Sequence, residues 1–202
     1  MADPFTTVAD RATASFEVRG STFLGHVCPV DDVDAAEGFI EEVAAAYDDA
    51  THNVPAYRVR ADPNGEFLRE YSSDDGEPSG SAGKPALSVL QGQDLVDVAA
   101  VVTRYYGGTN LGVGGLVRAY ARAVNEAVDA AGVVERRPHR RLQVTVAYDD
   151  SGTIRGILES EGLDFEAEYA ESVAFDVRVP VDDAAAIGDR IRSATSGRAT
   201  IE

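Results

Sequence analysis

The sequence is poor in cysteine, lysine and tryptophan, and it has no long hydrophobic run. Its one cysteine, Cys28, excludes an internal disulfide and a cysteine-rich metal site. No apolar stretch approaches the roughly 18–20 residues that a membrane-spanning helix needs. The opening segment MADPFTTVAD lacks the basic and apolar regions of a signal peptide. We therefore expect a cytoplasmic protein that does not act in a membrane.

Acidic residues dominate the charge. The chain has 35 acidic and 18 basic residues, a net charge of −17, and Lys84 is the only lysine. An acid-rich, lysine-poor composition is typical of proteins from salt-loving organisms, in which screening weakens self-repulsion. Residues 51–125 nevertheless hold seven basic and eight acidic residues, whereas residues 1–50 hold two and eleven. Either the middle stretch meets an anion, or its arginines pair with neighbouring acids.

Hydrophobic periodicity and turn residues predict alternating strands and helices in the first two thirds of the chain. The expected elements are a hairpin of strands 13–18 and 21–29, a helix over 31–47, strands 55–60 and 66–72 around a turn at Asp62–Gly65, a helix over 86–92, a strand over 97–106 and a helix over 116–131. The strand 97–106 is apolar enough to be central in a sheet.

A second domain is expected after Arg136–Arg141, a segment that contains a proline and shows no periodicity. The remaining residues predict a strand at 142–148, a helix at 150–161, strands at 164–170 and 172–179, a helix at 181–193 and a strand at 197–201. This β-α-β-β-α-β order is that of a ferredoxin-like domain. The sequence thus predicts an α+β protein with domains at residues 1–135 and 139–202.

The segment Ser73–Pro85, which we call the first loop, has no regular pattern and is long enough to be functional. It is not a phosphate-binding Walker loop, because Pro78 and Pro85 stand where that loop needs other residues. Ser81 and Lys84 have the spacing of a serine–lysine nucleophile, but Gly83 and Pro85 disfavour the helix that this chemistry requires.

Two further interpretations of the first loop remain open. Its carboxylates could bind a hard cation without EF-hand spacing, or its turns could be purely structural. The loop residues singled out are Asp74, Asp75, Gly76, Glu77, Ser79, Gly80, Ser81 and Gly83.

The segment Gly107–Gly115, which we call the second loop, lies between a predicted strand and a predicted helix. Backbone N–H groups at such a helix start can face an anion. Arginines at i and i+4 on the helix, together with nearby tyrosines, suit phosphate or single-stranded RNA. Alternatively, the glycines only permit close packing of strand on helix. The candidate anion-binding residues are Lys84, Arg104, Tyr105, Tyr106, Gly107, Gly108, Gly112, Gly114, Arg118 and Arg122.

No group of side chains has a spacing that indicates catalysis. His26 is expected to pack in the hairpin, His52 to stand at the mouth of a strand, and His139 to lie between the domains. We therefore expect neither a cofactor nor a resident metal, and binding rather than catalysis. The alternative is an enzyme that acts on a small phosphorylated or peptide-like substrate at the first loop.

Three long motifs occur in order along the chain: DATHNVPAYR at 49–58, SDDGEPSGSAGKP at 73–85 and VVTRYYGGTNLGVGGLVR at 101–118. Together they resemble the IMPACT/YigZ family in its two-domain prokaryotic form. The resemblance implies a first domain like domain 2 of ribosomal protein S5 and a ferredoxin-like second domain. Eukaryotic members of the family regulate translation, so the resemblance also implies a translation-associated role. The partner would be RNA, the ribosome or a translation-related protein.

Overall fold

The structure, a computed structural model, describes residues 4–61 and 67–202. The chain divides into two compact units, an N-terminal unit that includes Pro4–Arg136 and a C-terminal unit that includes Arg137–Glu202. Both units combine strands with helices, so the expected α+β class is confirmed. None of the helices in the described ranges is long and apolar enough to cross a membrane.

The N-terminal unit is built on a five-stranded antiparallel sheet. Its elements are β1 (Phe5–Val8), β2 (Ala12–Val18), β3 (Ser21–Pro29), α1 (Val33–Ala46), β4 (His52–Arg60), β5 (Leu68–Ser72), α2 (Gly83–Gly92), β6 (Val98–Tyr105), α3 (Val113–Ala131) and β7 (Val133–Arg136). The strand order in the main sheet is β2-β3-β6-β4-β5, and β1 pairs separately with β7. The predicted central strand is therefore confirmed as β6.

Helices cover both faces of this sheet. Val98, Ala100 and Val102 of β6 pack in the core formed with α2 and α3, whereas Ala99 and Val101 pack in the core formed with α1. Because both faces of β6 are buried, its sequence is apolar without alternation. Because β6 is held on both faces, the second loop, which follows it, starts from a fixed position at the end of the sheet.

A glycine in β3 allows α3 to lie directly on the sheet. A Cβ atom at Gly25 would stand 2.0 Å from the carbonyl oxygen of Ala123 in α3. No side chain fits in that space, so the position requires glycine.

Asp97 connects β1 to the main sheet, a link that sequence periodicity did not reveal. Its backbone has a φ of +54°. Its carbonyl accepts hydrogen bonds from the Thr7 hydroxyl at 3.0 Å and from the Val30 N–H at 2.9 Å. Its carboxylate pairs with Arg60, whose guanidinium lies 3.8 Å from the centroid of the Phe5 ring. Asp97 thus links β1, the residue that follows β3 and the end of β4.

The C-terminal unit is a four-stranded antiparallel sheet with both helices on one face. Its elements are β8 (His139–Val146), α4 (Tyr148–Ser160), β9 (Asp164–Tyr169), β10 (Val173–Pro180), α5 (Ala184–Ala194) and β11 (Thr200–Ile201). The predicted β-α-β-β-α-β order is confirmed, and the strands lie in the order β11-β8-β10-β9. Ile154 and Ile187 from the helices pack on Val144 and Phe175 from the sheet.

Three local predictions are wrong or lie outside the described residues. Helix α2 begins at Gly83 rather than at Ala86, because its first turn tolerates glycine and proline. Strand β8 begins at His139 rather than at residue 142, so only residues 137–138 separate it from β7, where the chain divides into its two units. The turn predicted at Asp62–Gly65 falls outside the described residues.

We expect Gly25→Ala to lower the free energy of unfolding by at least about 2 kcal/mol, because the added methyl group meets backbone atoms that cannot swing away. Gly38→Ala, in α1, is the matched control: its Cβ meets nothing within 4 Å, and alanine should stabilise the helix by about 0.5–1 kcal/mol. Urea unfolding of both variants measures the difference, and equal stabilities would contradict the close approach of α3 to β3.

Candidate nucleic-acid interface

The candidate site lies at the end of the five-stranded sheet where β6 stops and β4 starts. The N–H of Thr51 donates to the carbonyl of Arg104 at 2.9 Å. The N–H of Tyr106 in turn donates to the Thr51 hydroxyl at 2.9 Å. We call this region the sheet end. These bonds hold the entry to the second loop in one position.

The turn between β2 and β3 packs against the second loop. A Cβ atom at Gly107 would lie 1.9 Å from the carbonyl carbon of Gly20, and the Gly107 N–H donates to the Ser21 hydroxyl at 3.1 Å. Arg19, which precedes this contact, is exposed. Sequence reasoning missed Arg19, because nothing in the spacing of residues 19 and 107 indicates that they meet.

The backbone of the first loop folds around the carboxylate of one of its own residues, Asp74. Asp74 accepts hydrogen bonds from the N–H groups of Gly80 at 2.7 Å, Gly83 at 2.9 Å and Ala82 at 3.1 Å. Partial burial raises the pKa of Asp74, but the three N–H donors outweigh it and leave that pKa below its ordinary value. The donors at the start of α2 therefore already hold an anion, and an external phosphate would have to displace it.

Glu77 ties the first loop to the sheet and to α3. Its carboxylate forms an ion pair with Arg104 and accepts a hydrogen bond from the Tyr120 hydroxyl at 2.8 Å. The side chains of Glu77 and Arg104 are only 4% and 6% exposed. Burial, followed by the hydrogen bond to Glu77, raises the pKa of Tyr120 far above its ordinary value. Arg104 therefore cannot contact a phosphate, and its prediction as a surface cation is wrong.

The Arg104 guanidinium lies between two aromatic rings. Its central carbon is 5.4 Å from the centroid of Phe23 and 5.3 Å from the centroid of Tyr106. Its Nε is buried without a hydrogen-bond partner among the described residues, and its Nη2 is 3.5 Å from the Ser21 hydroxyl, so the ring faces add to its electrostatic support. Tyr106 itself is 45% exposed, and its hydroxyl donates to Asn110 at 3.2 Å.

The other predicted aromatic and basic residues have mixed surroundings. Tyr105 is half-buried, and its hydroxyl donates to Asp49 at 2.7 Å. Arg122 is exposed but pairs with Glu126 at 2.6 Å and lies 3.9 Å from the Phe16 ring centroid. Lys84 and Arg118 are exposed and form no ion pair within residues 4–61 and 67–202. These two, with Arg19, are the cations of the site that remain open to a ligand.

The start of α3 is open to solvent. Gly112 caps the helix with a φ of +70° and no side-chain hydrogen bond, and nothing lies within 4 Å of a Cβ built at Gly108 or at Gly112. A guanidinium nitrogen of Arg118 comes back to 3.6 Å from the Cβ position of Gly114. A helix start without a side-chain cap, beside an arginine that pairs with no acid in the described part of the chain, attracts anions.

His52 and Asn53 link β4 to the first loop, a role that the sequence did not reveal. The Nδ1 of His52 is 2.5 Å from the carbonyl oxygen of Asp75, and its Nε2 is 3.9 Å from Glu77 Oε1. The Asn53 N–H donates to the Asp75 carboxylate at 2.6 Å. All three acids predicted as cation ligands are thus engaged within the protein.

His26 anchors a second polar chain beneath the sheet end. Its Nδ1 is 3.0 Å from the Thr13 hydroxyl and its Nε2 is 3.3 Å from the Thr103 hydroxyl. Because Thr103 donates its proton to Asn53 at 2.7 Å, Nε2–H must donate to Thr103 and Nδ1 must accept from Thr13. Burial, followed by the charge of Arg11, lowers the pKa of His26 to about 4. The expected packing of His26 in the hairpin is confirmed.

The serine–lysine pair of the first loop is not formed. Ser81 is fully buried and donates to the Pro78 carbonyl at 2.6 Å, whereas Lys84 is exposed in the first turn of α2. Across residues 4–61 and 67–202 no three His, Cys, Asp or Glu side chains are arranged to hold a metal ion.

These features define a two-unit α+β protein with two glycine-rich loops at one end of an antiparallel sheet. The family model described as the Impact N-terminal domain matches residues 19–128, and a domain of unknown function, DUF1949, matches residues 144–198. The chain belongs to the IMPACT family.

Similar proteins span nearly the whole chain. The IMPACT family member YvyE of Bacillus subtilis is 36% identical over 100% of this chain and 92% of its own length. The IMPACT family member YigZ of Escherichia coli is 34% identical over 90% of this chain and 88% of its own length. A crystal structure of a hypothetical protein superposes with a TM-score of 0.71 at 31% identity, covering 100% of this chain and 97% of that one.

We expect Glu77→Ala to lower the free energy of unfolding by about 3–5 kcal/mol, because it leaves Arg104 charged and buried without a partner. Asp189→Ala, which breaks an exposed pair with Arg192, should change it by less than about 0.5 kcal/mol. The double variant Glu77→Leu/Arg104→Met should lose less than Glu77→Ala alone, since it buries no unpaired charge. Urea unfolding gives all three values, and a double variant that loses as much as Glu77→Ala or more would contradict the coupling.

Acid should destabilise the protein through His26. Between pH 6.5 and about 4, His26 binds a proton in the unfolded chain but not in the folded chain. The free energy of unfolding therefore falls as the pH drops through this window. The free energy of unfolding falls by about 3 kcal/mol in all across this window, and above pH 6.5 none of this stability has been lost. In His26→Asn this part of the pH dependence should vanish. Unfolding measured at closely spaced pH values tests it, and parallel curves for the two proteins would contradict the depressed pKa.

Proposed function

We propose that this IMPACT family member is a translation-associated binding protein whose sheet end contacts RNA, either free or in the ribosome. The observation that carries the proposal is a set of exposed cations near the two loops, Arg19, Lys84 and Arg118, that form no ion pair with any residue in the described ranges, in a chain of net charge −17. Although the chain is rich in acids, these three cations remain available, and they can bind an anionic partner. The translation-related role of eukaryotic family members supports the same assignment.

The loops favour binding over catalysis. Glu77 and Arg104 are fixed to each other, and Asp74 and Asp75 are fixed to backbone N–H groups. Such bonds make a rigid surface, and a rigid surface binds with little loss of conformational entropy. The open start of α3 adds backbone donors to this surface.

We further propose that the two units are separate domains with the folds the family resemblance implies. The N-terminal domain would have the fold of domain 2 of ribosomal protein S5, and the C-terminal domain a ferredoxin-like fold. The order β11-β8-β10-β9, in which the first and third strands are central, supports the second assignment.

RNA binding should depend on the three open cations. We expect the triple variant Arg19→Gln/Lys84→Gln/Arg118→Gln to bind RNA more weakly and to flatten the plot of log affinity against log salt by about one unit of slope for each lost phosphate contact. Fluorescence anisotropy over a series of salt concentrations, including molar salt, measures both quantities.

The control removes the same charge elsewhere. Arg155→Gln/Arg190→Gln/Arg192→Gln changes three partly exposed arginines of the C-terminal unit. It should bind RNA as the unchanged protein does. Equal losses in the two triple variants would mean that only net charge matters, and the absence of binding to RNA and ribosomes at every salt concentration would overturn the proposed function.

A further inference from the structure

Tyr106 is an exposed aromatic ring that the protein holds in one orientation. Its N–H donates to Thr51 at 2.9 Å, its hydroxyl donates to Asn110 at 3.2 Å, and the Arg104 guanidinium lies over the ring at 5.3 Å from its centroid. Despite these contacts the residue is 45% exposed. Because the guanidinium lies over one face, a flat ligand would have to stack on the other face.

This support differs from that of an aromatic residue left on the surface by chance. Arg104 is itself fixed by its buried ion pair with Glu77, so the ring rests on an immobile cation. One hydrogen bond fixes the backbone at Tyr106, and a second holds the hydroxyl of its ring. A ring ordered before binding loses little entropy when a flat ligand stacks on it.

We propose that Tyr106 is a stacking platform for an unpaired base, so that the RNA bound at the sheet end is single-stranded there. This inference rests on the proposed function. Within a duplex both faces of each base are covered by neighbouring pairs, whereas an unpaired base offers a free face to an aromatic side chain. Arg19, beside the Gly20–Gly107 contact, and Arg118, beside Gly114, supply charges for the phosphates on the adjoining nucleotides.

Stacking also suits the electrostatics of this surface. The neighbouring Tyr105 hydroxyl is bonded to the Asp49 carboxylate, so acidic charge lies close to the site. Phosphate contacts weaken steeply with salt, but stacking of a base on a ring does not depend on counterions. A site that combines a few open cations with a fixed ring therefore retains affinity where a purely electrostatic site loses it.

The test uses the full chain and a short single-stranded RNA that carries one 2-aminopurine. The protein has no tryptophan, so the fluorescence of the base analogue can be followed without interference. We expect quenching on binding, and affinity for the single strand above that for a duplex of the same sequence. Tyr106→Leu should weaken single-strand binding by about tenfold or more and abolish the quenching. Tyr106→Phe, which keeps the ring, should retain both.

Tyr71→Leu is the matched control, because Tyr71 lies in the same unit and is 46% exposed. It should bind RNA as the unchanged protein does. Equal affinity for duplex and single strand, or RNA binding that Tyr106→Leu leaves intact, would overturn the stacking inference while the proposed function stands. If the unchanged protein binds neither of these RNAs nor ribosomes, both the stacking inference and the proposed function are overturned. Thermal melting of each variant confirms that it is folded.

Discussion

The buried ion pair between Glu77 and Arg104 is the contact on which the sheet end depends. Two opposite charges, each almost fully removed from water, are stable only while they face each other and their remaining polar atoms are occupied. Tyr120 supplies the second bond to the carboxylate, and two ring faces flank the guanidinium. The first loop, the last residues of β6 and the third turn of α3 are held together as a consequence. The orientation of Tyr106 follows from the same pair.

Most of the positive charge that looked available in residues 51–125 is paired with acids of the same chain. Arg58 donates to Glu70 and to two backbone carbonyls, Arg60 is bound to Asp97, and Arg122 is bound to Glu126. Together with Arg104 these account for four of the seven basic residues in 51–125. The balanced charge of that stretch therefore reflects internal pairing for the most part. Only the other three basic residues of this stretch can bind a ligand.

Sequence patterns predicted elements whose hydrophobic period is long and regular. Helix α3, the central strand β6 and the order of elements in the C-terminal unit were predictable because each buries a repeating set of apolar residues. Strands β1 and β7 were missed, because four residues give too short a pattern, and because β1 is joined to the sheet by one buried apolar residue, Val8, together with the hydrogen bond from Thr7 to Asp97.

The site was predicted by its residue types and not by its contacts. Glycine spacing singled out both loops, and Glu77 and Arg104 were among the candidates. Which of the arginines is buried depends on tertiary contacts between residues 27 positions apart, and local sequence does not encode such distances. Likewise, Arg19 joins the site only because Gly20 and Gly107 touch. Contacts of this kind require the folded sheet.

Because both faces of β6 are buried among apolar side chains, the polar residues near its C-terminal end, Thr103 and Arg104, set its register in the sheet. Small apolar side chains occupy both faces of Val98–Val102, so a shift by one residue would exchange the faces without exposing a charge or burying one in that segment. Such a shift would, however, turn Arg104 away from Glu77 and separate Thr103 from His26 and Asn53. Two adjacent residues, each bonded on its own side of the sheet, thereby select one alignment of the strand. The chemistry at the sheet end and the alignment of the central strand are consequently determined by the same side chains.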